Sequence, residues 1–307
     1  MCCLFGYYNY GSMPIKNISK LTNFLARQAT IRGTDASGIA YNDNNKLIIH
    51  KESKSADLID FKHPEDVVSV LGHTRHSTQG SCKRNYNNHP FSGHCKNLNF
   101  ALAHNGVLMN DKELQKRHKL PRTKIETDSY VAVQLLEKNK ILNIENIKNM
   151  AELVDGSFAF SILDSNNTLW LIKGDSPLSI IHLPKYKLYV YASTDEILYK
   201  ALVDTKLFEE IKNGRFEEID IDSGDILNIL PSGEIIRDRF NYMEYIGIEK
   251  YNWWDYTIDS KSNARKSYIE ELKAIATYQG ISSEEIDDLL NSGFTLDEIE
   301  DYIYCME

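Results

Sequence analysis

The chain has 307 residues, 42% hydrophobic and 26% charged, ordinary values for a soluble globular protein with material for one large or two modest domains. Its net charge of −9, from 35 basic and 44 acidic side chains, argues against a general nucleic-acid partner. No run approaches the roughly 20 apolar residues of a membrane helix, so neither nucleic acid nor membrane is an expected partner.

The opening run CLFGYY is apolar and aromatic and reads as a buried strand ending near Gly11. Ile15, Ile18, Leu21 and Leu25 recur at helical spacing and predict a helix to about Gln28. GIAYNDNNKLIIH is a hairpin turning at Asn-Asp-Asn-Asn, and VVSVLGHTR and NFALAHNGVL are buried strands ending in polar turns. Thr127 is placed to cap a helix from Asp128 to about Lys138, and a second helix runs from Ile144 to Leu153. Beyond it come SFAFSILD and TLWLIKG, LSIIHL and KLYVYAS, the helix TDEILYKALVD, then FEEIDIDSGDILNIL and EIIRDRF. This order is neither alternating βαβ nor all-β. It predicts an α+β layered architecture of antiparallel sheets with helices on their outer faces.

After about Phe240 the character changes. NYMEYIGIEKYNWWDYTID is aromatic and irregular, SNARKSYIEELKAIATYQG reads as a helix closed by Gly280, and two short helices follow. Ser282 with Glu285, and Thr295 with Glu298, each fit a capping box. Nine acids and no base lie between Ile281 and Glu307, so the tail carries the whole charge excess. The expected division is 2–235 for the main domain and 236–307 for an aromatic linker and acidic helical extension.

Five cysteines, Cys2, Cys3, Cys82, Cys95 and Cys305, are odd in number and include no Cys-x-x-Cys pair. A disulfide framework is not expected, and the N-terminus has no basic flank of a signal peptide, so the predicted location is cytoplasmic. One cysteine has special chemistry available. Once Met1 is removed, Cys2 carries both a thiol, with a reference pKa of about 8.5, and an α-amine at about 7.7–8.0 able to act as its base. Amide hydrolysis further needs oxyanion donors and groups that hold the substrate.

Motifs supplying these parts stand in one order: Met1-Cys2 with Phe5-Gly6, RGTDASGIA (32–40), GHTRHSTQG (72–80), NNHPF (87–91), HNG (104–106) with Asn110, ETDS (126–129), DGSFAF from Asp155, KGDSPL from Lys173 and ASTDE from Ala192. The chain thereby resembles the class II glutamine amidotransferases over about residues 2–230, and most closely the glutaminase domain of glucosamine-phosphate synthase. The resemblance implies an N-terminal-nucleophile hydrolase fold, antiparallel sheets layered between helices, here with a small helical C-terminal extension. It implies L-glutamine as substrate and no cofactor. Cys2 would be the nucleophile, the Asn105 side chain and the Gly106 N–H the oxyanion hole. Arg75 with Thr78 and Gln79 would hold the α-carboxylate and Asp128 the α-ammonium, with Arg32 and Asp35 shaping the turn beside the nucleophile. Three positions depart from the family: Cys3 replaces a glycine, His76 a bulky aromatic residue, and Gln79 the histidine of the glucosamine-phosphate synthases.

Two other readings use the same sequence. The first is an amidohydrolase acting on another γ-glutamyl amide. The second is a non-catalytic regulatory module docking through the acidic tail, whose Leu289, Leu290, Phe294, Leu296, Ile299 and Ile303 need burial. A zinc site among His73, His76, Cys82, His89, His94 and Cys95 matches no ligand spacing, so no metal is expected. About 70 residues follow the similarity, so a glutaminase here is expected to stand alone and to feed a separate synthase or amide-forming partner. The sequence leaves the oligomeric state open.

Overall fold

The opening run forms strand β1, Cys3–Asn9, buried along its whole length. Its alternation sends Cys3, Phe5 and Tyr7 into one apolar cluster and Leu4 and Tyr8 into another. A strand covered on both faces reads as a continuous apolar run for this reason. It is hydrogen-bonded on one side to β10, Leu188–Ala192, and on the other to β4, Ser69–Arg75. The computed structural model describes residues 2–11, 15–44, 46–96, 98–203 and 205–242. Of the remainder it describes residues 269, 272–273, 275–277, 280–292 and 294–304. The chain divides into two units, Met1–Tyr242 and Met243–Glu307.

In the first unit, one sheet has the order β11 (Glu217–Glu218), β9 (Ser179–Leu183), β10, β1, β4, β2 (Ala36–Asp43) and β3 (Lys46–Glu52). The other runs β13 (Ile235–Arg239), β12 (Asp225–Ile229), β8 (Leu169–Lys173), β7 (Gly156–Asp164), β6 (Leu98–Leu108) and β5 (Phe91–Cys95). Every neighbouring pair is antiparallel. Between the sheets, Leu4, Tyr8 and Leu71 pack against the small residues Ala101, Ala103 and Ala159. On the outer face of the first sheet lie α1 (Ile18–Gln28) and α5 (Asp195–Val203). On that of the second lie α3 (Tyr130–Asn139) and α4 (Ile144–Leu153). The result is a helix–sheet–sheet–helix sandwich of the expected α+β class, and the stripe Ile18, Leu21, Leu25 is the buried face of α1.

Four elements differ from the sequence reading. FEEIDIDSGDILNIL is not one strand: Glu217–Glu218 joins the first sheet and Asp225–Ile229 the second. The break falls where Asp225 N–H bonds the Asp222 carbonyl and Gly224 takes φ +93°. Helix α3 begins at Tyr130, because Asp128 turns its carboxylate back to accept the Leu108 N–H. Two short helices, α2 (Asp111–Arg117) and α6 (Phe208–Lys212), carry too few apolar residues to show a period.

In the second unit, α7 (Ser283–Asn291) and α8 (Leu296–Tyr304) both start on side-chain caps. Ser282 Oγ accepts from Glu285 N at 3.1 Å. Thr295 Oγ1 accepts from Glu298 N at 3.2 Å while the Glu298 carboxylate accepts from Thr295 N at 2.8 Å, a reciprocal capping box. Ile286, Ile299 and Ile303 are buried, and Phe294 remains 47% exposed. Gly280, at φ +85°, donates to the Thr277 carbonyl and closes the preceding helical residues. The start of that helix, and the aromatic stretch from Met243 on, lie outside the described residues.

A polar seam crosses the sandwich. His73 Nε2 on β4 donates to the His104 carbonyl on β6 at 2.9 Å, and the His89 ring lies 4.2 Å from that of His73, centroid to centroid. Burial pushes the His73 and His104 imidazoles down from 6.5 to about 3, and that of His89 well below 6.5. These rings fold neutral and take up protons mainly in the unfolded chain. Their contribution is therefore complete above pH 6.5 and is lost as pH falls, by up to about 1.4 kcal/mol per pH unit for each ring. The melting temperature of a His89→Leu variant should fall less between pH 7 and pH 5 than that of the wild type. Equal falls would show that His89 is protonated in the fold.

Packing also constrains the strands. A Cβ on Gly72 of β4 would lie 2.2 Å from the ring of Phe5, its partner on β1. Gly72→Val should cost about 1–3 kcal/mol, read as a lower urea midpoint at unchanged slope. An unmoved midpoint would show that the ring can turn aside.

Candidate active site

Antiparallel pairing of Cys3 with Thr74 and of Ala36 with Arg75 brings Cys2, Asp35 and Arg75 to one end of the first sheet. The His73–His104 bond places Asn105 and Gly106, the next residues of β6, at the same end. Leu4 is clamped there by Ser193 of the ASTDE motif: Leu4 N donates to Ser193 Oγ, and Ser193 N to the Leu4 carbonyl, both at 2.9 Å.

Cys2 is partly buried, and its Sγ lies 3.5 Å from the His76 carbonyl. Burial pushes its thiol up, and the Arg75 guanidinium opposes that shift. Arg32, itself buried, donates from Nε to the Cys2 carbonyl at 3.2 Å. Asp35 accepts from Ser77 N at 2.7 Å and donates its own N–H to the Arg75 carbonyl. Both residues thus shape the turns beside Cys2. Cys3 points into the apolar cluster under α1, and burial raises its thiol too. Cys95 is a core residue with its thiol pushed up to about 11.

Asn105 is 1% exposed, and neither its Oδ1 nor its Nδ2 has a protein partner among the described residues. A buried amide left this way costs about 1–3 kcal/mol, so its orientation is maintained by the strand around it. Gly106 follows at φ +128°, where a Cβ would lie 2.2 Å from the Ser157 carbonyl oxygen, so only glycine fits.

Arg75 is buried and partly engaged within the protein. Its Nη1 donates to Asn88 Oδ1 at 2.7 Å, and its Nη2 to the carbonyls of Gln79 and Gly80 at 2.6 and 2.8 Å. It therefore holds the 76–80 loop in shape. Thr78 is exposed, whereas Gln79 Nε2 donates to Asp111 Oδ2 at 3.4 Å. Asp128 is buried, accepting from Leu108 N at 2.6 Å and from the Ser129 hydroxyl at 3.3 Å, and burial pushes its carboxyl up. Its charge is felt at Cys2. Two further motifs hold backbone. Asn87 Nδ2 donates to Glu126 Oε2 and Glu126 N to Asn87 Oδ1. Asn110 bridges the Leu153 carbonyl and the Asp155 N–H.

Among the described residues, no three His, Cys, Asp or Glu side chains are grouped to hold a metal ion, and no helix is long and apolar enough to cross a membrane. Sequence reasoning missed Asp111, which opens α2 and is 7% exposed beside Gln79. Its only signal was an Asn-Asp pair after the HNG strand.

Residues 73–200 match the glutamine amidotransferase domain family. The chain is 34% identical over 190 residues to the glutamine–fructose-6-phosphate aminotransferase (isomerizing) of Staphylococcus aureus, covering 58% of this chain and 30% of that protein. The Bacillus thuringiensis protein of the same name is 34% identical over 157 residues, covering 48% and 26% respectively. The chain thus spans less than a third of the length of these relatives. The glutamine phosphoribosylpyrophosphate amidotransferase of B. subtilis, solved with ADP and GMP, superposes with a TM-score of 0.61 at 23% identity, over 78% of this chain and 49% of that one. A structure described as the allosteric regulatory enzyme of purine biosynthesis gives 0.62 at 22% over the same shares. Residues 73–200 thus carry a glutamine amidotransferase domain, and the two antiparallel sheets between helices share the fold of these solved amidotransferase structures.

Proposed function

We propose that this domain hydrolyses the side-chain amide of L-glutamine to glutamate and ammonia, with Cys2 as the nucleophile. The observation that carries the reading is the Asn105 amide, buried without a protein partner, beside Gly106 at the same sheet end as Cys2. A hydrogen-bond donor preset in a buried site is worth most where charge develops during the reaction.

In this reading Met1 is removed and the free amine of Cys2 takes the thiol proton. The sulfur attacks the amide carbon, and Asn105 Nδ2 and the Gly106 N–H stabilise the oxyanion. Ammonia leaves with the proton held by the amine, giving a γ-glutamyl thioester. Water, deprotonated by the same amine, then releases glutamate. The positive charge at Arg75 matches the α-carboxylate, with Thr78 and Gln79 at the same loop, and Asp128 matches the α-ammonium. Arg75 keeps Nη2 on the carbonyls of its own loop and Nη1 on Asn88, so it serves as a fixed charge as well as a donor.

The finer reading has the ammonia passed to an acceptor enzyme on another chain. The acidic second unit, with Phe294 exposed, supports a docking role for that unit, since its charge would steer a basic partner surface. Capture of such a partner should weaken as salt rises and disappear when the chain is cut after Gly280, with glutamine hydrolysis retained. Loss of hydrolysis on truncation would make the second unit part of the enzyme itself.

Active protein should have an intact mass lacking the initiator Met. Cys2→Ala should abolish glutaminase activity, and an electrophilic glutamine analogue should label Cys2. Labelling at Cys3 or Cys82, or full activity with Met1 retained, would overturn the mechanism.

Asn105→Ala removes one oxyanion donor and should lower kcat by about a hundredfold or more, with a modest change in KM. An unchanged kcat would remove Asn105 from the oxyanion hole.

A further inference from the structure

Arg75 leans on a loop outside its own strand. Its Nη1 donates to Asn88 Oδ1 at 2.7 Å, and Asn88 lies just before β5. The Asn88 side chain is in turn tied by Nδ2 to the Cys82 carbonyl at 2.8 Å, Asn85 Oδ1 at 3.1 Å and Ser53 Oγ at 3.2 Å. The backbone of this loop is gripped from β3. Lys51 donates from Nζ to the Asn88 carbonyl at 2.5 Å and to the Pro90 carbonyl at 3.0 Å. Its own carbonyl accepts from Asn85 Nδ2 at 2.8 Å. Three bonds from one residue thus join the edge strand of the first sheet to the loop that carries the partner of Arg75.

The path of the Lys51 side chain is narrow. Gly38 is its partner on β2, and a Cβ there would lie 2.6 Å from Lys51 Cβ and 2.5 Å from the His89 carbonyl oxygen. Nζ then passes 5.1 Å from the centroid of the Phe91 ring. Among the described residues no carboxylate pairs with this ammonium, since Glu52 pairs with Lys54 and His50. The groups that face it are the Arg75 guanidinium from β4 and the neutral His73 and His89 rings. Burial, with the Arg75 charge second, pushes the ammonium down to about 8. A partly buried cation beside another cation is costly, and the bonds to two carbonyls and the face of Phe91 offset that cost.

We propose that Lys51 is a positioning residue for Arg75: it ties the Asn88 and Pro90 carbonyls to β3 and so sets the amide on which the guanidinium rests. Its effect on substrate rests on the proposed glutaminase reading, in which a guanidinium held still meets the α-carboxylate of glutamine at one place. Lys51 acts through Asn88 and does not enter the chemistry.

The first test reads Arg75 itself, in the full chain, by nuclear magnetic resonance of its guanidinium N–H groups, assigned by their loss in Arg75→Lys. They should be resolved and slow to exchange with water in the wild type. Lys51→Met should broaden them, and Lys51→Arg should keep them. Signals unmoved by Lys51→Met would overturn the inference, whether or not the chain turns over glutamine. Failure of the wild type to hydrolyse glutamine would overturn only the proposed function.

The second test compares L-glutamine with 4-aminobutanamide, which keeps the amide and the amine but lacks the α-carboxylate. Lys51→Met should raise KM for glutamine about tenfold, with kcat within about twofold, and should move KM for 4-aminobutanamide by less than about twofold. Equal rises for both substrates would overturn the inference, because a merely structural lysine does not distinguish them. Lys54→Met, which breaks an exposed pair with Glu52, should leave both values unchanged, and a similar rise there would be as damaging. Should Lys51→Met fail to fold, pH supplies the same comparison. The ammonium of Lys51 loses its proton as pH rises through about 8, whereas an arginine keeps its charge. Between pH 7 and pH 9, KM for glutamine should therefore rise several-fold more in the wild type than in Lys51→Arg, the titration of the substrate amine being common to both. Parallel profiles would overturn the role of Lys51.

Discussion

Cys2, the proposed nucleophile, meets a physical difficulty, because chain ends fray unless they are tied down. The remedy here is to make the following residues the middle strand of a seven-stranded sheet. β1 is hydrogen-bonded to β10 and β4 along both edges and is covered above by α1 and below by the second sheet. Ser193 closes the register at Leu4, and Arg32 holds the Cys2 carbonyl. The placement of the Cys2 sulfur depends on that anchoring. The Cys3 side chain enters the apolar layer under the helices rather than the site.

The second sheet contributes through a single strand. β6 brings Asn105 and Gly106 to the mouth, and its other residues serve the core: Phe100 and Leu102 toward the helices, Ala101 and Ala103 toward the first sheet. The alternation that buries four residues therefore also sets the pitch at which Asn105 arrives. The His73–His104 bond locks the two sheets together one residue before Asn105. A neutral imidazole suits this place, since it donates to a carbonyl without leaving a charge in the apolar layer.

Most of the polar motif residues hold backbone. Asn88 accepts from Arg75 and donates to the Cys82 carbonyl, Asn87 and Glu126 tie two loops together, and Asn110 fixes the start of the β7 segment. This division of labour is what a preorganised site requires: few groups face the reacting atoms, and many hold those few still. Asn88 has all its side-chain polar atoms in use, whereas the Asn105 amide has no partner among the described residues, the state that the proposed oxyanion role calls for.

The sequence by itself determined the layered α+β class, the order of most strands, the stripe of α1, the helix at 144–153 and the caps at Ser282 and Thr295. These follow from periodicity and from hydrogen bonds within a few residues. The candidate site was also legible as motifs: Cys2, Arg75, Asn105, Gly106 and Asp128 stand in them, and the fold brings them to one end. Tertiary structure decided what depends on residues far apart in the chain. It split 216–230 between two sheets, because the partner of each half is chosen by register rather than by local preference. It engaged Arg75 with its own loop, and it buried Asp111 beside Gln79. No spacing along the chain encodes the desolvation of a carboxylate or the distance between two of them, and those quantities set the charge that the pocket presents.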